Sequence, residues 1–146
     1  MPDLSIENKK RQLNFNTIAG VDEAGRGPWA GPVYSAIVIL NKDRIPKGIN
    51  DSKKVSEKKR MELYEEILLN HECGIGFASP EEIDRLNILE ATFLSMKRAL
   101  KNISIKPDYI LVDGNLSPKF KIPHETIIKG DNISMSIAAA SIIAKV

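Results

Sequence analysis

The chain has 146 residues, 42% apolar and 27% charged, with a formal net charge of +2, which fits one soluble domain with its own core. A single cysteine, Cys73, excludes an intramolecular disulfide, and two histidines, His71 and His124, are too few for a Cys/His zinc cluster. No apolar run approaches the roughly 20 residues of a membrane helix and the N-terminus lacks a hydrophobic signal core, so a reducing, cytoplasmic setting without a membrane is expected.

In chain order, residues 1–16 are polar, with Lys9, Lys10 and Arg11 clustered, and read as a flexible N-terminal arm ahead of a domain over 17–146. "TIAGV" (17–21) and "VYSAIVIL" (33–40) are β-rich runs separated by a Gly/Pro segment. Ser56 is placed to cap a helix whose Met61, Tyr64, Ile67 and Leu68 fall at helical spacing. "ECGIGFAS" (72–79) reads as a third strand. Ser79, Pro80 and Glu82 spell a capping box, and Asn87 with Glu90 repeats it before a helix with Leu89, Phe93, Met96 and Leu100 on one stripe. "DYILVDG" (108–114) is a buried strand ending on Asp113, "ETIIK" a short strand, and "GDNISMSIAAASIIAKV" an alanine-rich helix. Strands followed by strands alternating with helices indicate an α/β domain with a mixed sheet.

Chemistry concentrates where strands hand over to loops. Neighbouring side chains on a strand point to opposite faces, so Asp22 and Glu23 share a site only if the strand ends there. Gly25, Gly27 and Gly31 supply conformational freedom for that ending, and Pro28 and Pro32 fix φ. Asp113 follows the fourth strand, and if the two strands are neighbours three acids converge. Two carboxylates about 4 Å apart repel by roughly 4 kcal/mol at an effective dielectric near 20, so the cluster requires a proton or a cation. Oxygen ligands alone favour Mg²⁺ or Mn²⁺, and such cations serve phosphoryl chemistry. By itself an acid at a strand end is more often a turn former, and the run "SKKVSEKKR" is more often a solvated helix face.

"GVDEAGRGPWAGPV", "DSKKVSEKKR", "LVDGN" and "KGDNISMSIAAASIIAKV" resemble, in order and spacing, the signature blocks of bacterial ribonuclease HII across Thr17 to Val146. The resemblance implies an RNase H-like fold and a metal-dependent endoribonuclease using Mn²⁺ or Mg²⁺ in a two-metal mechanism. It implies as substrates RNA/DNA hybrids and duplex DNA carrying a single ribonucleotide, cut on its 5′ side, by an enzyme that is monomeric when complete. Asp22, Glu23 and Asp113 match metal-binding, catalytic acids of the family. Gly25, Arg26 and Gly27 match its substrate loop at the ribonucleotide 2′-hydroxyl, and Lys53 and Lys54 fall in a block resembling a phosphate contact surface.

The family pattern continues past "IIAKV" to a fourth acid, so the chain reads as an enzyme lacking a C-terminal portion. On that reading Ile137, Ile142 and Ile143 become an exposed apolar face. A catalytically impaired fragment that only binds hybrids, and another metal nuclease of the same fold, are the alternatives; the latter would not need Gly25, Arg26 and Gly27 together.

Overall fold

A computed structural model describes residues 1–25, 31–49 and 56–145. Helix α1 (Ser5–Gln12) precedes strands β1 (Ile18–Ala24) and β2 (Val33–Ile39); α2 (Glu57–Asn70) leads to β3 (Glu72–Ala78); α3 (Pro80–Leu86) and α4 (Ile88–Asn102) lead to β4 (Tyr109–Asp113). The short β5 (His124–Ile127), a 3₁₀ turn at Gly130–Asn132 and α5 (Met135–Lys145) follow. The sheet runs β3-β2-β1-β4-β5. β2 is antiparallel to both β1 and β3, whereas β4 is parallel to both β1 and β5. The expected α/β domain with a mixed sheet is present.

Strand alternation divides the core into two layers. Ala36 and Val38 of β2 meet Ala139, Ile142 and Ile143 of α5 and Leu63 and Ile67 of α2 on one face. Ala19, Val21 and Ile37 meet Met96 and Ala99 of α4 on the other. Ile137, Ile142 and Ile143 are therefore buried by the sheet and by α2, and the expected exposed face does not exist. Helix α5 comes so close to β1 that a Cβ on Gly20 would lie 2.3 Å from the Ser136 carbonyl carbon. The alanine run of α5 allows that approach.

Both other helical stripes differ from the expected ones. In α2 the buried line is Leu63 and Ile67, while Met61 and Leu68 are each 41% exposed. In α4 the line against the sheet is Ala91, Thr92, Ser95, Met96 and Ala99, with Leu89, Phe93 and Leu100 half-buried beside it. The reason lies in β3, where a Cβ on Gly74 or Gly76 would collide with the α4 backbone. A helix that rests on glycines presents small side chains to them.

The caps follow their sequence signals. Ser79 and Glu82 form the complete capping box, and the Asn87 side chain accepts the Glu90 amide at 3.0 Å. Glu82 also receives both terminal nitrogens of Arg98, at 2.7 and 2.6 Å, which pins α3 to α4.

The N-terminal residues depart from the expected flexible arm. Residues 5–12 form α1, and Glu7 is fully buried. Asp3 bridges to Ser134, its amide donating to the Ile133 carbonyl at 3.2 Å and its own carbonyl accepting the Met135 amide at 2.9 Å. Lys10 pairs with Glu125 at 2.6 Å and lies over the Tyr109 ring. A polar segment with clustered cations docks here because one carboxylate and one lysine find specific partners, which hydropathy does not register.

Candidate metal centre

The acids meet at the C-terminal ends of the central parallel pair. β1 and β4 are in register through Val21 and Val112, so the next residues, Asp22 and Asp113, lie side by side where their mutual backbone pairing stops. Strand β1 itself does not end at Asp22. It continues to Ala24 against β2, pairing Asp22 with Ala36 and Glu23 with Ser35. The requirement that the strand end is thus met on one edge only. Asp22 shares the α5 face with Gly20, and Asp113 shares it with Leu111. Glu23 follows in the opposite phase, yet its longer side chain keeps a carboxylate oxygen in the cluster. One oxygen from each of Asp22, Glu23 and Asp113 lies within 4.8 Å of the others.

This crowding is electrostatically costly. Asp22 is 3% exposed, and burial first, then the charge of Asp113, pushes its carboxyl up to about 9. Asp113 is also raised, chiefly by burial, with the charges of Asp131 and Glu23 acting in the same direction. Hydrogen bonds order the group. Asp22 Oδ1 accepts the Glu23 amide at 2.8 Å and Asp113 Oδ1 accepts the Gly130 amide at 2.7 Å. Without a cation, the raised Asp22 carboxyl keeps its proton at neutral pH.

The donor set fits a hard divalent cation: it consists of carboxylate oxygens. The two histidines are engaged elsewhere, His71 with Asn41 and Arg44 and His124 with Ser117 and Ile122. Burial pushes the Cys73 thiol up to about 12, which removes it as a thiolate ligand.

Two residues bearing on the site are not among the expected site residues. Asp131, in the 3₁₀ turn before α5, is close enough for its charge to act on Asp113. A fourth carboxylate therefore stands beside the cluster within this chain, where the fourth acid had been expected beyond Val146; its signal was the Gly-Asp pair opening the last block. Glu7 binds the start of α5, its Oε2 accepting the Ser134 hydroxyl at 2.8 Å and the Ser136 amide at 2.9 Å. Nothing in "SIENKKRQ" marks it.

Of the residues expected to form a substrate loop, Gly25 is exposed beside the acids at φ +96°, and a Cβ there would lie 2.5 Å from the Pro32 carbonyl oxygen. Gly31 shows no such restriction. Arg26, Gly27, Lys53 and Lys54 lie outside the described residues.

The family model described as Ribonuclease HII matches residues 19–146. The chain belongs to the ribonuclease HII family. Ribonuclease HII of the Wolbachia endosymbiont of Brugia malayi is 56% identical over 99% of this chain and 70% of its own length. The crystal structure of ribonuclease H2 from Pyrococcus horikoshii superposes with a TM-score of 0.77 at 29% identity, over 89% of this chain and 71% of that one. A ribonuclease HII from Archaeoglobus fulgidus, solved as a complex with PCNA, gives 0.72 at 32% identity over the same shares. The RNase H-like fold and a metal-dependent endoribonuclease acting on the RNA strand of RNA/DNA hybrids follow from this membership. No described helix is long and apolar enough to cross a membrane.

Proposed function

We propose that this chain also incises duplex DNA on the 5′ side of a single embedded ribonucleotide, with Asp22, Glu23 and Asp113 as the metal-binding, catalytic acids and Asp131 beside them. The observation that carries this reading is the convergence of three carboxylates where the pairing of β1 with β4 stops, with Asp22 and Asp113 raised chiefly by burial and further by neighbouring carboxylates. Two divalent cations, Mn²⁺ or Mg²⁺, would lower the pKa of an attacking water and neutralise the charge developing on the leaving oxygen.

The chain's own groups set up that chemistry. Asp22 and Asp113 sit on rigid strands whose register fixes their spacing, and the Gly130 amide fixes the orientation of Asp113. Gly25 holds a positive φ beside the acids, with the Pro32 carbonyl oxygen where a Cβ would stand, and its exposed backbone is the part of the loop proposed to meet the sugar. RNA differs from DNA by the 2′-hydroxyl, displayed in a wide, shallow minor groove, and a backbone without a Cβ can come close to it. Arg26 and Gly27 belong to the same proposed loop, and Lys53 and Lys54 to a phosphate-binding surface that is independent of sequence.

The test is cleavage of a labelled duplex holding one ribonucleotide, with the cut mapped at single-nucleotide resolution, by the parent chain and by Asp113→Asn. Cutting 5′ of the ribonucleotide, abolished by Asp113→Asn while duplex binding is kept, is the expected result. Cutting of continuous hybrids only would overturn the single-ribonucleotide activity. Full activity of Asp113→Asn would overturn the site.

A further inference from the structure

A groove of about 370 Å³ opens between the C-terminal half of α4 and the segment 119–122 that leads into β5. Leu100, Phe120 and Ile122 give it an apolar floor, and Phe120 is anchored in the core with Ile103 and Ile110. Lys97, Lys106, Lys119 and Lys121 stand around it, all exposed. No carboxylate lines the groove, and among the described residues none of these lysines is ion-paired. Two of them are held in place: Lys106 Nζ donates to the Leu100 carbonyl at 3.1 Å, and Lys119 sits at φ +58° with its amide on Ser117 Oγ at 3.0 Å.

The groove and the acids occupy opposite ends of the sheet. β4 and β5 run parallel with Ile110 opposite His124, and Lys106, Lys121 and Ile122 lie just before those strands begin, whereas Asp113 closes β4. A duplex held at the acids engages the other end of the strands.

Four lysines call for an anion, and the apolar floor calls for a buried hydrophobic group. A nucleic-acid backbone satisfies the first through phosphate contacts but has no isolated apolar group of side-chain size to offer the second. An aspartate- or glutamate-rich peptide with one large apolar residue satisfies both, the anchor supplying affinity and the charges supplying steering and register. We propose that this groove docks an acidic segment of a partner protein through a single hydrophobic anchor, leaving the metal centre free to act.

The probe is a fluorescein-labelled peptide with a run of aspartates ending in one phenylalanine, followed by fluorescence anisotropy on the whole chain. Saturable binding with Kd at or below about 100 μM is expected, weakened about tenfold by phenylalanine to serine in the peptide and about tenfold by Lys97→Glu with Lys121→Glu in the chain. Both lysines are exposed, so the double variant should keep its melting temperature and its rate of hybrid cleavage. Amide shifts on peptide addition should centre on Leu100, Phe120 and Ile122. Absence of saturable binding at about 1 mM peptide, equal affinity for the serine peptide, or shifts centred elsewhere would overturn the proposal. Displacement of the peptide by an RNA/DNA hybrid, with loss of hybrid affinity in the double variant, would also overturn it and make the groove a nucleic-acid surface.

Discussion

Glu7 and Ser134, 127 positions apart in the chain, are joined by a buried hydrogen bond of 2.8 Å from the serine hydroxyl to the glutamate carboxylate. The same carboxylate oxygen accepts the Ser136 amide, so a negative charge sits at the positive end of α5. The turn so held contains Gly130, which donates to Asp113, and Asp131, which acts on it.

Glu7→Gln keeps the shape and removes the charge. Loss of charged hydrogen bonds of this kind costs about 1.5–3 kcal/mol, which at this chain length corresponds to a fall in Tm of at least several degrees. If the contact also positions the acids, the Mn²⁺ concentration giving half-maximal cleavage should rise while KM for the hybrid stays near normal. An unchanged metal dependence alongside a lowered Tm would leave Glu7 a purely structural cap.

Asp22 makes metal-free stability depend on pH. Its folded carboxyl titrates near 9, against 3.8 for an ordinary aspartate. Between those values the folded state holds the proton that the unfolded chain releases, so stability is greatest below the lower value and falls as pH rises toward the upper one. Asp22→Asn should flatten this slope. In chelator at pH 8 it should melt at least 2–4 °C above the parent, the equivalent of about 1 kcal/mol, although it no longer cleaves. Differential scanning calorimetry from pH 5 to 9 measures both slopes, and parallel curves would contradict the raised carboxyl.

Gly25→Ala tests the loop without a large side chain. The positive φ and the 2.5 Å approach of its Cβ to the Pro32 oxygen would force the backbone to move, at about 1–3 kcal/mol of local strain. The rate at a single embedded ribonucleotide should drop at least tenfold with far-UV circular dichroism unchanged. Equal rates would reduce Gly25 to an ordinary turn residue.

His71 ties the segment after β2 to the start of β3. Its Nδ1 accepts the Asn41 amide at 2.8 Å and its Nε2 lies 3.1 Å from the Arg44 carbonyl, the geometry of a neutral ring. Burial holds its pKa below 6.5. Below 6.5 the unfolded chain takes up a proton that the folded ring resists, so this contribution is present above that pH and is lost as pH falls below it. His71→Gln should lower Tm at pH 7.5 and narrow its difference from the parent by pH 5. A gap that stays constant over that range would show that His71 does not titrate on unfolding.

Much of the site was legible from local order. The apolar run before Asp22 and the run before Asp113 marked two strands bearing acids, although the glycines after the first pair did not show that β1 runs on to Ala24 against β2, and the stretch of apolar residues is a local property of the chain. The capping box at Ser79 was legible for the same reason, since donor and acceptor lie within one turn. The stripes of α2 and α4 were misassigned because helical spacing shows that a face exists without showing which residues meet the sheet. Gly74 and Gly76 decided that for α4 by admitting its backbone.

The sequence by itself determined the apolar strands that lead to Asp22 and Asp113, most of the caps and the family, because each depends on residues close together in the chain or on a fixed order of blocks. Only the tertiary structure decided that β1 and β4 are parallel neighbours in the register that sets Asp22 beside Asp113, that Asp131 joins them, and that α1 docks through Glu7. Those relationships join residues up to 129 positions apart, and their energies come from desolvation and charge, which exist only once the distant segments have closed around one another.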